Sequence, residues 1–452
     1  MLSAAVQTAL PAACLPAQLP PVPGSGRLLI VGAGKSAGAM AEVAEAHYLA
    51  AHGRQVFAPS LDEAKPGQIF GRLTTRYGYT KPTTHMALRE ASHPIPDAQS
   101  AEGAQEAVAI AHAATPDDTL LVLLSGGASA LWCAPAAGLT LADKQAVTDA
   151  LLKGGEPIGA INAVRKHLSA IKGGRLAAAA GDAQLITLAI SDVPGDAPDA
   201  IGSGPTVGDR TTMADAAAAL ERVAGRLGDE LAAKVTAALS ETPGPDAPQF
   251  ARARYEIIAK PAAGLDAAAD IARRAGFTPV ILGDDLEGEA RDVAAAHCAM
   301  AAHLAGGADP AAVLGAAHWP GDAPETRGIA LLSGGELTVT VRGNGRGGPN
   351  QEYALAAAEA LSTLDPRTAQ AISLIAADTD GSDGGTGAAD DAAGALVTGE
   401  TLSQAAKQRL DPSAFLADND ATGFFEAVGD VIKSGPTFTN INDFRAVLIS
   451  RD

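Results

Sequence analysis

Lys35 stands in Gly32-Ala33-Gly34-Lys35-Ser36-Ala37, which follows a short apolar run and opens an Ala-rich one. A glycine turn at a helix start presents backbone N–H groups to an anion, and the lysine adds a positive charge. The stretch also fits the loose spacing of a dinucleotide fingerprint, with Gly32, Gly34 and Ala37 in the small positions. Two features weigh against NAD. The strand expected next, Gln55–Ala58, runs into Pro59-Ser60 and not into an acid that could hold a ribose hydroxyl. A lysine also occupies the place where close backbone approach is wanted. The Walker A pattern fails too, because Leu29 stands where it needs glycine. A plain strand-to-helix turn explains the glycines equally well.

Asn162–Arg175 gathers Arg165, Lys166, His167, Lys172 and Arg175 in a chain of net charge −19. If one helix runs through it, Arg165 and Lys172, seven apart, share a face. That face is either a cradle for a carboxylate or phosphate, or a solvated surface. Two loops carry hard oxygen donors. Ser191–Thr206 holds Asp192, Asp196 and Asp199, and Ala377–Gly387 holds Asp378, Asp380 and Asp383. The second has the look of a calcium loop, yet Ala389 stands where the closing glutamate belongs, so Mg²⁺ or a positioned water suits it better. Arg346, among four glycines in Arg342–Glu352, is placed to grip a phosphate bidentately. Asn350 and Glu352 then open a helix. Gly435–Asp443, ending in Asn442 and Asp443, is longer than a plain connection needs. His93 lies in a Pro-rich loop as a ligand or a turn stabiliser. Leu123-Leu124-Ser125-Gly126-Gly127 recurs as Leu331-Leu332-Ser333-Gly334-Gly335, ahead of Glu336. No GxSxG elbow or HExxH metal motif occurs.

The elements that must position these residues alternate. Arg27–Val31, Thr119–Leu124 and Leu185–Ile190 are continuous apolar runs, as in strands covered on both faces of a parallel sheet. Helical patterns at Lys35–Ala51, Ala98–Ala114, Leu141–Lys153 and Ile158–Ile171 separate them, predicting an open, doubly wound α/β sheet. Glu241–Pro248, with three prolines, reads as a linker between domains 1–245 and 246–452. Beyond it, strands are expected near Ile257, Val280, Ile329–Leu332, Leu337–Val341, Ala371–Ala376 and Ala446–Ile449, with helices from Gly264 and Glu287. Leu337–Val341 follows its neighbour so closely that an antiparallel hairpin and a mixed sheet are predicted. Asp309–Arg327, with Pro310, Pro320 and Pro324, reads as a second loop.

With 452 residues, two domains are the default, and 47% hydrophobic residues suffice for their cores. The acidic surface, pI about 4.8, excludes nucleic acid and anionic membrane as partners. Cys14, Cys133 and Cys298 form no CxxC pair, which fits a reducing, cytoplasmic setting. Leu10–Cys14 has lipoprotein-like spacing, but no Lys or Arg precedes it, so export is not expected. No apolar run reaches the ~18 residues that span a bilayer.

Together VGAGKSAGAM, HPIPD, LLSGGASAL, NAVRKHLSAIKGGRLA, ISDVPGD with GSGPT, LLSGGELTV, RGNGRGGPNQE, AADTDGSDG and GPTFTNINDF resemble the class II glycerate 2-kinases, whose C-terminal half is the MOFRL domain and whose N-terminal domain is of the DUF4147 type. The segments occur in family order from about residue 27 to 449. The family often has glycine where this chain has Phe438. The resemblance implies a Rossmann-like N-terminal domain, a smaller C-terminal α/β domain with its MOFRL core at about 328–449, and an active site in the cleft between them. It implies ATP, Mg²⁺ and D-glycerate, with 2-phosphoglycerate as product, and makes Lys35 and Arg346 essential. On that basis Lys35 and Arg346 serve the transferring phosphoryl group. Asp192 and one of Asp378 or Asp380 hold Mg²⁺ or take the hydroxyl proton, with Asp192 and Asp378 as the metal pair. Arg165 and Lys172 grip the glycerate carboxylate, with His93, Ser125, Gly126 and Gly127 also on the substrate side. Gly32, Gly34, Gly334, Gly335, Glu336, Asn350, Glu352, Asn442 and Asp443 face the nucleotide. A homodimer is left open. The other readings are an NAD(P)H-dependent hydroxypyruvate reductase, a label given to members of this family, and a non-catalytic sugar-acid-binding protein.

Overall fold

Three apolar runs become fully buried or nearly fully buried strands, as their lack of alternation requires. In the computed structural model they are β1 (Leu28–Ala33), β4 (Thr119–Leu124) and β5 (Gln184–Ile190). The model describes residues 1–451 except 316–317, 320–325, 386–387 and 389. The run Gln55–Ala58 is not a strand: a 3₁₀ turn, Arg54–Val56, fills it, with a single bridge from Phe57 to Ile69. The second strand is β2 (Ile69–Arg76), and β3 (Ala87–Ala91) is the third. Both mix polar residues into the strand, so neither forms a continuous apolar run. β2 ends in Thr75-Arg76, so it too lacks an acid for a ribose.

The first sheet has the order β3-β2-β1-β4-β5-β6, where β6 is Ala253–Ala259. Pairing is parallel from β3 through β5. This is the strand order of a doubly wound dinucleotide-type sheet, with its switch point between β1 and β4. β6 follows Glu241–Pro248 in sequence, yet it joins this first sheet and not the second. The Pro-rich segment is itself packed here: the Asp209 N–H donates to the Pro243 carbonyl at 2.9 Å, and Thr242 Oγ1 to Asp209 Oδ2 at 3.1 Å.

The chain divides into two compact units, Pro11–Ile258 and Met1–Leu10 with Ala259–Asp452. The second unit holds a mixed sheet of six strands, β13-β12-β11-β14-β9-β7. These are β7 (Phe277–Gly283), β9 (Gly328–Ser333), β11 (Ile372–Asp378), β12 (Gly394–Val397), β13 (Val431–Ile432) and β14 (Asp443–Ser450). β7 and β9 pair in parallel, while β14 runs antiparallel to both β9 and β11. The predicted hairpin does not form. β10 (Leu337–Thr338) pairs in parallel with β8 (Gly288–Glu289) in a separate ribbon, and β14 takes the place beside β9. The helix Leu2–Ala9 belongs to this unit: Ala5 is buried among Leu265, Ala268, Phe444 and Ala446. Pro320 and Pro324 of the expected second loop lie outside the described residues. No helix among the described residues is long and apolar enough to cross a membrane.

Candidate active site

At the switch point of the first sheet, the loops after β1 and β4 are tied backbone to backbone. The Ser125 N–H donates to the Ala33 carbonyl at 3.1 Å and the Lys35 N–H to the Gly126 carbonyl at 2.8 Å. The Ser36 N–H donates to Ser125 Oγ at 3.0 Å. A Cβ on Gly34 would lie 2.0 Å from Ser125 Oγ, and its φ is +141°, so only glycine fits. A Cβ on Gly32 would likewise lie 2.5 Å from the Leu123 carbonyl. The fingerprint glycines therefore serve loop packing, and they leave Lys35 as the one residue from Leu28 to Ala41 that is not buried. It stands at the N-terminus of the helix Ala37–His52, where an anion is favoured. A Cβ on Gly127 would meet His93 Cδ2 at 3.0 Å and Lys35 Cγ at 3.5 Å, which places His93 and Lys35 around Gly127. Ser125 is fully buried and acts as the clasp.

The basic segment does not run as one helix. The helix Ile158–His167 stops, and the chain turns through Gly173 and Gly174 at positive φ before the helix Arg175–Ala180. Arg165 and Lys172 share no helix face, yet they converge. Arg165 Nη2 donates to Ser129 Oγ at 2.7 Å, and Lys172 Nζ to the Ser129 carbonyl at 2.7 Å and to Ser129 Oγ at 3.1 Å. Ser129 Oγ also lies 2.8 Å from Ser203 Oγ. Lys144 Nζ, close by, donates to the Arg165 and Leu168 carbonyls at 3.3 and 3.1 Å. Among the described residues, carbonyls and hydroxyls, not carboxylates, meet these three cations. Burial pushes Lys144 down to about 8 and Lys172 well below its ordinary value, with Arg165 repelling both. Burial also lowers Arg165. Lys166, by contrast, is neutralised by Asp209 at 3.2 Å and Asp199 at 3.4 Å. His167 is buried and tied to the Ala163 carbonyl at 2.9 Å, and Arg175 is spent on the Ser240 and Glu241 carbonyls. Asp192 lies half-buried two residues past the end of β5.

In the second unit, the Asp loop is a chain of turns. Asp378 Oδ1 accepts the Asp380 N–H at 2.8 Å, and Asp380 Oδ1 accepts the Ser382 N–H at 2.9 Å. Buried Asp383 accepts the backbone N–H groups of Asn350 and Gln351 at 3.0 and 2.8 Å, and both their side-chain amides. Burial and neighbouring Asp443 push Asp383 up to about 7 against those donors. Asn350 Nδ2 also reaches Asp443 Oδ1 at 2.6 Å, and Arg445 Nη1 holds Asp443 Oδ2 at 3.0 Å. Glu352, 2% exposed, is claimed by Arg291 Nε at 2.6 Å and Asn419 Nδ2 at 3.2 Å. Asn350, bonded to both Asp383 and Asp443, thus braces the helix Pro349–Ser362 against the Asp loop, while Glu352 ties the same helix to Arg291 and Asn419. Asn442, at φ +68°, caps the turn that leads into β14, its side-chain oxygen accepting the Asp443 N–H at 3.0 Å. Gly334 and Gly335 are buried where Arg445 reaches their carbonyls, whereas Glu336 is exposed.

Arg346 is 64% exposed and paired with Glu426 Oε2 at 2.7 Å. Its glycines are not there to bare it. A Cβ on Gly343 would lie 2.2 Å from the Asp418 carbonyl, and one on Gly348 2.4 Å from Asp383, so they let the loop pass its neighbours. Phe438 adopts φ +59°, the conformation for which glycine is the natural residue. The sequence reading missed Ser129, Ser203, Lys144 and Arg445. Ser203 alone left a trace, a serine flanked by two glycines after an apolar strand.

Hard oxygen donors stand at a strand end in each unit, Asp192 past β5 and Asp378 closing β11. One or two carboxylates with phosphate oxygens is the donor set Mg²⁺ prefers. Among the described residues no three Asp, Glu, His or Cys cluster as a metal site.

A doubly wound sheet with a lysine at its switch point and a buried cationic cluster defines an anion-handling α/β protein. Comparison with known proteins gives the family. Residues 1–240 match the model of a domain of unknown function, DUF4147, and residues 329–443 match the MOFRL family. A protein of Agrobacterium vitis named "Putative hydroxypyruvate reductase" is 42% identical over 99% of this chain and 93% of its own. The D-glycerate 2-kinase of Thermotoga maritima is 36% identical over 84% of each chain. A crystal structure of glycerate kinase from the same organism superposes with a TM-score of 0.79 at 31% identity, covering 99% of this chain and 97% of that one. The chain belongs to the class II glycerate 2-kinase family.

Proposed function

We propose that the protein transfers the γ-phosphoryl group of ATP to the 2-hydroxyl of D-glycerate, giving 2-phosphoglycerate, in the cytoplasm. The observation that carries this reading is Lys35, left accessible at a helix N-terminus by an otherwise buried loop. Phosphoryl transfer is mostly positioning and charge neutralisation, and Lys35 and Arg346 supply cations for the transferring group. Arg165 and Lys172, meeting at Ser129, serve the glycerate side, with His93 and Gly127 beside Lys35. Asp192 and Asp378 would hold Mg²⁺, which would neutralise the phosphate oxygens. The glycerate kinase names of the relatives support the same reaction. A reductase reading has the Agrobacterium name on its side, but β2 ends in Thr75-Arg76 without a ribose-binding acid.

The test is incubation with D-glycerate, ATP and Mg²⁺, followed by enolase. Enolase takes the 2-phosphate directly, so a signal is expected without phosphoglycerate mutase and is expected to vanish in excess EDTA. A signal that needs the mutase means the 3-isomer. NADH-dependent reduction of hydroxypyruvate with no ATP consumed overturns the kinase reading.

A further inference from the structure

Ser129 Oγ has one proton to give and two lone pairs. Arg165 is always protonated and takes one lone pair at 2.7 Å. The remaining lone pair and the proton are shared between Lys172 Nζ at 3.1 Å and Ser203 Oγ at 2.8 Å. Two of the possible arrangements differ by one proton carried along the chain. With Lys172 as ammonium, it donates to Ser129, and Ser129 donates to Ser203. With Lys172 as amine, Ser129 donates to its lone pair, and Ser203 donates to Ser129. Ser129 is saturated in both, so Ser203 is the end of the chain that retains capacity for a further hydrogen bond. Passing from the second arrangement to the first moves one proton from outside Ser203 onto Lys172.

We propose that Ser203, Ser129 and Lys172 are a proton relay that takes the hydroxyl proton of the acceptor alcohol as its oxygen attacks the phosphorus. The inference rests on the kinase reading above. The acceptor oxygen forms a bond to the γ-phosphorus while the bond from that phosphorus to the β-bridging oxygen breaks, and its electron pair leaves with the nucleoside diphosphate. The acceptor proton goes to Ser203 Oγ, the Ser203 proton to Ser129 Oγ, and the Ser129 proton to the Lys172 lone pair. Ser203 is the catalytic residue; Ser129 and Lys172 act through it.

Three further observations support the relay. Lys172 is 1% exposed, and the groups facing it are the cations Arg165 and Lys144 and the Cys133 thiol. Burial and the two cations favour the amine, the form a base must have. Ser203 is held at φ +62° between two glycines, a conformation that costs a non-glycine residue energy and is kept where surroundings demand it. Ser129 adjoins the β4 loop through Gly127 and Ala128, so the middle of the relay lies two residues from the glycine on which a Cβ would meet His93 and Lys35.

The test uses the full chain and compares Ser203→Gly, Lys172→Met and their double variant. Ser203→Gly removes the hydroxyl and relieves the backbone, so Tm is expected to hold or rise while kcat falls ~10²-fold or more, with KM for glycerate within a few-fold. Lys172→Met is expected to lose the same factor, and the double variant no more than the worse single, because the groups act as one unit. The rising limb of kcat with pH that reflects loss of the Lys172 proton is expected to disappear in Lys172→Met. Near-normal kcat in Ser203→Gly overturns the relay, and so does a raised KM at unchanged kcat, which would make the cluster a carboxylate grip. If Lys172→Met does not fold, Ser203→Gly decides alone. A wild-type enzyme that phosphorylates no glycerate would sink the kinase reading and the relay with it; an active wild type with an active Ser203→Gly sinks the relay only.

Discussion

At the residue scale the burial pattern separates scaffold from chemistry. Gly34, Ser125 and Ser36 are committed to holding two loops together, and Lys35 alone emerges. Lys35→Ala is therefore expected to keep the fold and to lower kcat ~10²–10³-fold, the usual cost of removing one charge-stabilising group; a variant with near-normal kcat removes this loop from the mechanism. His297 shows the opposite commitment. It is buried, with Nδ1 2.8 Å from the Tyr353 hydroxyl, and burial pushes it down to about 4. Its unfolded form takes up a proton near 6.5 and its folded form only near 4, so the unfolded state binds more protons between those values. Stability is expected to be full above pH 6.5 and to fall by of order 3 kcal/mol as pH drops to about 4. Thermal melts across that window check it, and His297→Phe should flatten the slope.

At the element scale the N-terminal helix Leu2–Ala9 is the clearest case of an element whose role its sequence does not announce. Its eight residues, mostly small and apolar, are too few to be stable as an isolated helix. Ala5 packs on Gly264, where a Cβ would come within 3.3 Å, and the Thr439 hydroxyl donates to the Ala9 carbonyl at 2.6 Å. Deleting residues 2–9 uncovers Leu265, Ala268 and Phe444. The expected loss is about 2 kcal/mol or more, seen as a lower Tm for the second unit; an unchanged melt would show that the helix merely rests there.

At the scale of the whole molecule, Lys35 and the relay lie in Pro11–Ile258 and Arg346 lies in Ala259–Asp452. A chain of residues 11–258 keeps its own sheet and its own cationic cluster. It is expected to fold but to make no 2-phosphoglycerate from glycerate and ATP. Turnover by that fragment would take Arg346 and the Asp378 loop out of the reaction.

Local patterning alone specifies the strands built on continuous apolar runs and the loops at their ends. Continuous apolar runs such as Thr119–Leu124 have only one stable place, the middle of a doubly covered sheet, and Gly34 and Gly127 mark where chains must touch. The family was legible for the same local reason, since its motifs are contiguous. Tertiary structure alone decided the rest. β2 was invisible because Arg72, Thr74 and Thr75 interrupt its apolar pattern while the sheet still buries most of it. β10 pairs with β8 because β14 already occupies the edge of β9. Arg165 and Lys172 meet at Ser129 although 36 and 43 residues separate them from it, and no periodicity encodes that meeting. Hydrogen-bond partners far apart in sequence are chosen by packing, and packing is a property of the folded chain.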